Sequence, residues 1–199
     1  AFTVAYLLTK GIKGSNIFRT VFFMPNLIGG IVLGYIWSMI FDGILSRYNT
    51  SILLNSTYGF WGLIILMAWQ QIGYMMIIYI AGLQAVPGDM LEAAKIDGAS
   101  EWKTLWDIII PNVMPSITIC TFLTLTNSFK LYDQNLALTN GRPYNGAIHT
   151  TEMLALNIVN SNTLKTKGIG QAKAVMFFVL VAIIGIFQMK STHDKEVQQ

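Results

Sequence analysis

Residues 82–115 read GLQAVPGDMLEAAKIDGASEWKTLWDIIIPNVMP, and this stretch governs how the rest of the chain is read. It carries seven charges, Asp89, Glu92, Lys95, Asp97, Glu101, Lys103 and Asp107, between two apolar runs. Pro87-Gly88 stops the preceding run. Asp89 is placed to cap a helix from Met90 to about Asp97, and Glu92 three residues on completes a start like a capping box. Gly98 reaches positive φ at little cost and permits a sharp bend. Ser100 can cap a second helix, in which Trp102, Leu105, Trp106 and Ile109 share one face. Pro111 is expected to end that helix, because the residue before a proline disfavours α geometry. The expected product is helix–Gly–helix, with the small residues Ala93 and Ala94 exposed for close approach. Physical reasoning alone leaves two readings open, an interfacial amphipathic loop without a partner and a docking element.

The composition around this stretch is that of a membrane protein. Of 199 residues, 53% are hydrophobic and 12% are charged, against roughly 25% charged in ordinary soluble chains. So little polar surface cannot clothe a globule in water, and lipid is the natural solvent. The net charge of +3 is mild, and there is no long basic run of the kind that binds nucleic acid. A single cysteine, Cys120, lies in an apolar run and reads as a small buried hydrophobe; it excludes a disulfide framework within the chain.

Four apolar runs are long enough to span a bilayer: about 21–41, 59–81, 112–131 and 172–189. The first, at 1.5 Å per residue, reaches about 31 Å. It contains Pro25 and Gly29-Gly30, which membrane helices tolerate. Ala1–Thr9 is apolar but too short to cross, and reads as the end of a spanning helix cut by the start of the chain. The segment 10–19, with Lys10, Lys13 and Arg19, reads as cytoplasmic by the positive-inside rule. Counting spans then puts the loop 82–111 inside, 42–58 and 133–171 outside, and the polar tail from Lys190 inside. Within 133–171, residues 150–160 are expected to form a short helix. The fold class is therefore all-α, a polytopic membrane helix bundle in a single domain.

The residues of the loop do more than periodicity can. Glu92-Ala93-Ala94-x-x-Asp97-Gly98-Ala99, followed by Ile108 and Ile110-Pro111, resembles the EAA coupling motif of the permease subunits of binding-protein-dependent ABC importers. It departs from the family in having Ile110 where Leu is usual and Leu105 where Phe is common. The likeness extends over the whole chain, through Phe18–Pro25 (FRTVFFMP), Ala81–Pro87 (AGLQAVP) and Thr139–Pro143 (TNGRP). These flanks are similar to the carbohydrate-uptake branch, and to the larger permease subunits of the maltose-importer kind. Such permeases have about six core spans, of which this chain would carry the last four and the end of the second.

The resemblance implies a mechanical role. Glu92, Ala93, Ala94, Asp97, Gly98, Ala99 and Pro111 would form the element that seats in a cleft of a cytoplasmic ATPase subunit, with Glu92 meeting a basic residue there. It also implies a second permease subunit, two ATPase copies, an extracytoplasmic sugar-binding protein and a bacterial or archaeal cell membrane with the C-terminus inside. The chain has no G-x-x-x-x-G-K-[ST] phosphate loop, so no cofactor is expected in it; ATP and Mg²⁺ would belong to the partner ATPase.

Polar groups inside spans are costly and tend to face cavities. Asn26 and Gly30, Gln70, Gln71 and Tyr74, and Thr124, Asn127 and Ser128 form three such clusters. By resemblance they fall at sugar-lining positions; the plainer reading is hydrogen bonding between helices. Lys130 and Asp133 read as a local ion pair. His149 and His193 lack ligand-spaced neighbours, so no metal is expected. Two alternatives remain. The same fold could carry a polyol phosphate or a peptide, although an anionic cargo would want cations within the spans. An intramembrane enzyme would need buried acids or a nucleophile–base pair, and the four spans contain no Asp or Glu.

Overall fold

The computed structural model describes residues 1–145, 148–162 and 166–196, with the side chains of 144–149, 189 and 191–196 left aside. The chain is almost wholly helical. In order come α1 (Phe2–Thr9), α2 (Ser15–Phe23), a 3₁₀ turn (Met24–Leu27), α3 (Gly30–Leu45), a second 3₁₀ turn (Ser46–Tyr48) and α4 (Ser56–Gln84). Then follow α5 (Gly88–Ile96), α6 (Glu101–Thr104), a π-helical turn (Leu105–Ile109), α7 (Ile110–Phe129) and α8 (Asp133–Leu138). A pair of two-residue antiparallel strands, β1 (Tyr144–Asn145) and β2 (Ile148–His149), precedes α9 (Leu154–Ser161) and α10 (Lys167–Glu196). The short helix expected within 150–160 is α9.

Three helical stretches are long and apolar enough to cross a membrane: Ser56–Gln84, Glu101–Phe129 and Lys167–Gln188. On the last, Phe178, Ile183 and Phe187 are 72%, 62% and 74% exposed, a surface that lipid and not water would solvate. The chain is thus a multi-pass membrane protein. Residues 21–41, expected as one span, are a broken pair instead. The helical segments Ser15–Leu27 and Gly30–Tyr48 pass the same test only together. Two features break the run. Pro25 has no N–H to continue the helix, and the helix that resumes at Gly30 takes its first N–H bond on the Gly29 carbonyl, from Leu33 at 3.0 Å.

Pro111 does not end its helix either. Helical structure runs from Glu101 through Pro111 and Pro115 to Phe129. Pro111 can offer no N–H to the Asp107 carbonyl, and the π turn that lies just ahead of it widens the backbone where the ring would otherwise collide.

Backbone contacts divide the chain into two units. The first comprises 1–24, 71–124 and the stretch from Gln188. Its core is Ala5, Leu8, Met76 and Ile80, with Val4, Phe22, Tyr79 and Leu83 packed against them. The ring of Phe2 meets that of Tyr79 edge-on at 5.5 Å. The second comprises 25–70 and 125–187. There Ile52, Leu63, Leu66 and Leu138 are buried beneath Trp37, Phe41, Met67 and Met153. The turn leading into α4 is pinned by the Ile52 N–H, which donates to the Asp42 carboxylate at 2.9 Å. Helix α8 packs on α3 through glycines: a Cβ on Gly34 would lie 2.7 Å from the Ala137 Cβ.

Candidate functional site

The charged stretch folds as the expected two helices joined at Gly98, which sits at φ +71°. Helix α5 begins two residues earlier than expected, at Gly88. Its N-cap is Pro87, without a side-chain bond, and Asp89 lies in the first turn, where its charge complements the helix dipole. Glu92, Ala93, Asp97 and Gly98 are exposed and Ala99 is half-buried. Ala94 is only 7% exposed. The expectation that both alanines face outward therefore holds for Ala93 alone: consecutive residues of a helix are 100° apart, and Ala94 falls on the inward face.

Ser100 caps α6 as expected, its hydroxyl accepting from the Lys103 N–H at 3.3 Å. Replacing it with alanine should lower stability by about 1 kcal/mol, and Ser100→Asp should preserve it; thermal unfolding of the purified protein in detergent checks both. Of the four-residue stripe, Ile109 is 9% exposed while Trp102 and Trp106 are 71% and 61% exposed. The π turn shifts register within the stripe, so the two indoles do not share the inward position of Ile109.

One contact in this region was invisible in the sequence. The Lys10 ammonium donates to the Glu101 carboxylate at 2.6 Å and lies 4.8 Å over the Tyr6 ring. The hydrogen bond to Glu101 is the main reason the Lys10 pKa is raised above its ordinary value. The pair ties the end of α1 to the start of α6 across 91 positions.

The eight polar candidates divide between the two units. In the first, Gln71 and Tyr74 are half-buried on α4, and the Thr124 hydroxyl donates back to the Cys120 carbonyl at 2.7 Å. In the second, Gln70 is 7% exposed and bonded through both its amide nitrogen and its amide oxygen. Its amide N–H donates to the Ile28 carbonyl at 3.4 Å, and its amide oxygen accepts from Gln134 at 2.9 Å. Gly30 leaves the room for this: a Cβ there would sit 2.9 Å from the Gln134 Cδ. Gln70 and Gly30 are thus brought to one place beside Gln134, a residue that reads in the sequence as part of the loop 133–171. Asn26 and Asn127 are half-buried, and the exposed Ser128 donates its hydroxyl to the Leu125 carbonyl at 2.7 Å.

No ion pair joins Lys130 to Asp133 among the described residues; Asp133 opens α8 instead, where a carboxylate suits the helix N-terminus. Lys173 donates to Asn157 at 2.7 Å and to Ser161 at 2.6 Å and so fastens α10 to α9. The side chains of His149 and His193 lie outside the described residues.

The chain is 42% identical over 205 residues to the probable starch degradation products transport system permease protein AmyD of Thermoanaerobacterium thermosulfurigenes, covering 98% of this chain and 69% of that protein. It is 30% identical over 196 residues to the trehalose/maltose transport system permease protein MalF of Thermococcus litoralis, covering 94% and 65%. Among solved structures, it superposes with TM-score 0.77 on a chain of the crystal structure of a bacterial alginate ABC transporter in complex with an alginate pentasaccharide-bound periplasmic protein. That match covers 94% of this chain and 68% of the other, at 16% identity, and so shows a common fold. The family described as binding-protein-dependent transport system inner membrane component matches residues 1–190. The broken first span, the long apolar helices and the exposed two-helix loop are therefore features of a transport component and not of an enzyme: this chain belongs to the inner membrane component family of binding-protein-dependent transport systems.

Proposed function

We propose that the chain is the permease subunit of an ATP-driven sugar importer, that it forms half of the translocation path, and that it couples to an ATPase subunit through α5 and Gly98. The observation that carries this reading is the exposure of Glu92, Ala93, Asp97 and Gly98. The fold does not use these side chains for its own packing: Gly98 has nothing within 4 Å of where a Cβ would stand. The exposed part of the motif, which the chain does not pack against itself, is available to a partner. The glycine leaves that surface low, and Glu92 offers a carboxylate to a basic residue opposite.

Sugar as cargo is supported by the transport names of the two relatives, starch degradation products and trehalose/maltose. In the first unit such a cargo would meet Gln71, Tyr74 and Thr124; in the second, Asn26, Asn127 and Ser128, with Gln70 braced by Gln134. These groups match hydroxyls without bringing a fixed charge. The ammonium of Lys173 is occupied by Asn157 and Ser161, which weighs against a phosphorylated cargo held there. The partners in this reading are a second permease subunit, two ATPase subunits that keep ATP and Mg²⁺ to themselves, and an external sugar-binding protein. The α5–α6 loop and the C-terminus then lie on the cytoplasmic side of the cell membrane.

The test is to purify the chain with candidate ATPase and binding-protein subunits and measure ATP hydrolysis with and without sugar-loaded binding protein. Gly98→Trp should abolish co-purification of the ATPase. Gly98→Asn, which tolerates positive φ, should retain most of it. Unchanged assembly and transport in Gly98→Trp would end the docking assignment.

A further inference from the structure

Trp102 and Trp106 are bare, 71% and 61% exposed, and lie four residues apart on one helix. No described residue accepts a hydrogen bond from either indole N–H. A donor of this kind is costly to leave unpaired in hydrocarbon, and a large apolar ring is costly to leave in water. The place that suits both halves of the side chain is the boundary between the two.

The helix itself puts the rings there. Helical structure runs from Glu101 to Phe129. Residues 108–129 carry no charge and make about 33 Å of helix, close to the thickness of the hydrocarbon core. Asp107 opens this run and marks where hydrocarbon gives way to headgroups. Trp106 and Trp102 stand about 1.5 Å and about 7.5 Å outside Asp107 along the axis, within a headgroup layer about 5–8 Å deep. The Lys10–Glu101 pair points to the same level. It holds α6 beside the segment of Lys10 and Lys13, and cations next to a span collect at cytoplasmic headgroups.

Charge cannot do this work for the loop. Between Gly88 and Asp107 there are five acidic residues against Lys95 and Lys103, so an anionic leaflet repels the loop as a whole. Indole carries no charge and is held at the interface by its ring and its N–H. The exposed Glu92, Ala93 and Asp97 precede the Gly98 bend, whereas the indoles follow it, on the helix that enters the membrane.

We propose that Trp102 and Trp106 are interfacial anchors: they dock α6 on the headgroup layer of the bilayer and fix the depth at which the α5–α6 loop is presented. The meaning of that depth for coupling rests on the docking assignment made above. The anchoring does not, and it is read without transport or ATP hydrolysis.

The full chain is reconstituted in nanodiscs of phosphatidylcholine brominated either at the headgroup end of the acyl chains or at their middle. Tryptophan emission is compared between the wild type and Trp102→Phe/Trp106→Phe, with Trp37, Trp61 and Trp69 common to both. The emission that disappears in the double variant should be quenched about twofold or more by the shallow bromines relative to the deep ones, the preference of an indole at headgroup level. Quenching that is equal for the two lipids, stronger for the deep label, or replaced by quenching from aqueous iodide overturns the proposal. A second measurement separates the bilayer from a protein partner. In detergent, where there is no headgroup layer, Trp102→Ala/Trp106→Ala should still co-purify the ATPase subunit. If it releases the ATPase while Gly98→Asn keeps it, the indoles belong to the docking surface, and the anchoring assignment fails while the docking assignment stands.

Discussion

Gly73→Val is expected to unfold or disassemble the protein. Gly73 lies in α4 where α2 crosses it, and a Cβ there would stand 1.8 Å from the Phe22 carbonyl oxygen, 2.4 Å from its carbon and 2.8 Å from the Phe23 Cα. All three are backbone atoms, so no rotamer change relieves the overlap. The backbone of α2 must move off α4, taking Phe22 away from the core of Ala5, Leu8, Met76 and Ile80. Overpacking by one or two methyl groups costs up to about 3 kcal/mol when side chains can adjust, and here they cannot. The loss should reach at least that figure, a large share of the stability of any domain. Thermal unfolding in detergent and the yield of membrane-inserted protein measure it. Two controls locate the cause. Gly82→Ala meets the Ser116 hydroxyl at 2.2 Å, which can rotate away, and the Ser116 Cβ at 2.9 Å, which needs a shift of only a few tenths of an ångström, and should cost less. Gly43→Ala, within α3, has nothing within 4 Å and should be neutral or mildly stabilising, since alanine is the better helix former. A Gly73→Val protein that melts with the wild type would mean α2 does not press on α4.

The contrast between these glycines also shows what was legible beforehand. The Gly98 bend and the Ser100 cap are set by residues within a few positions, and both could be read from the string. The long apolar helices follow from composition in the same way. Gly73, by contrast, reads as one more glycine in an apolar run, because its role is fixed by a helix 50 positions away. Gln70 looked like a cargo-facing polar group until Gln134, 64 positions on, and the Ile28 carbonyl were found to occupy it. The Lys10–Glu101 pair is hidden for the same reason. Proline was misleading in two directions. Around Pro25, with Gly29-Gly30 beyond it, the helix does break, although an apolar run had suggested continuity. At Pro111 it continues, because a π turn absorbs the ring, and a five-residue change of helical pitch leaves no mark in residue type. Of the coupling loop, the motif was readable and the burial of Ala94 was not: which alanine faces in depends on where α5 starts, and Pro87 moved that start to Gly88.

Asn135→Leu is the second substitution expected to do severe damage, and it lies in a segment that reads as polar loop. Asn135 has no exposed surface at all. Its amide donates to the Thr151 carbonyl at 2.8 Å and to the Thr139 hydroxyl at 3.0 Å, and its amide oxygen accepts from the Met153 N–H at 2.9 Å. Thr139 in turn accepts from the Gly141 N–H, and the Thr151 hydroxyl donates to the Arg142 carbonyl at 2.5 Å. One side chain thus ties the end of α8, the turn at 139–142 and the start of α9 together. Leucine fills a similar volume but leaves the Met153 N–H and the Thr151 carbonyl facing an apolar group. Each such orphaned group costs about 1–3 kcal/mol, so the two together should remove about 3 kcal/mol or more. Asn135→Asp keeps the acceptor for Met153 but brings a buried charge with no cation among these partners, and should be no better than leucine. Leu138, three residues further along α8 and buried in the same unit, serves as the comparison: Leu138→Met conserves volume and should cost less than about 1.5 kcal/mol. Limited proteolysis separates the outcomes. Cleavage between Thr139 and Met153 should accelerate in both Asn135 variants and stay at the wild-type rate in Leu138→Met. If the proteins melt together and are cut at the same rate, the buried network is not what holds the end of α8 to α9. If they diverge as expected, the segment between them is a built support that positions Gln134, one residue away, against Gln70.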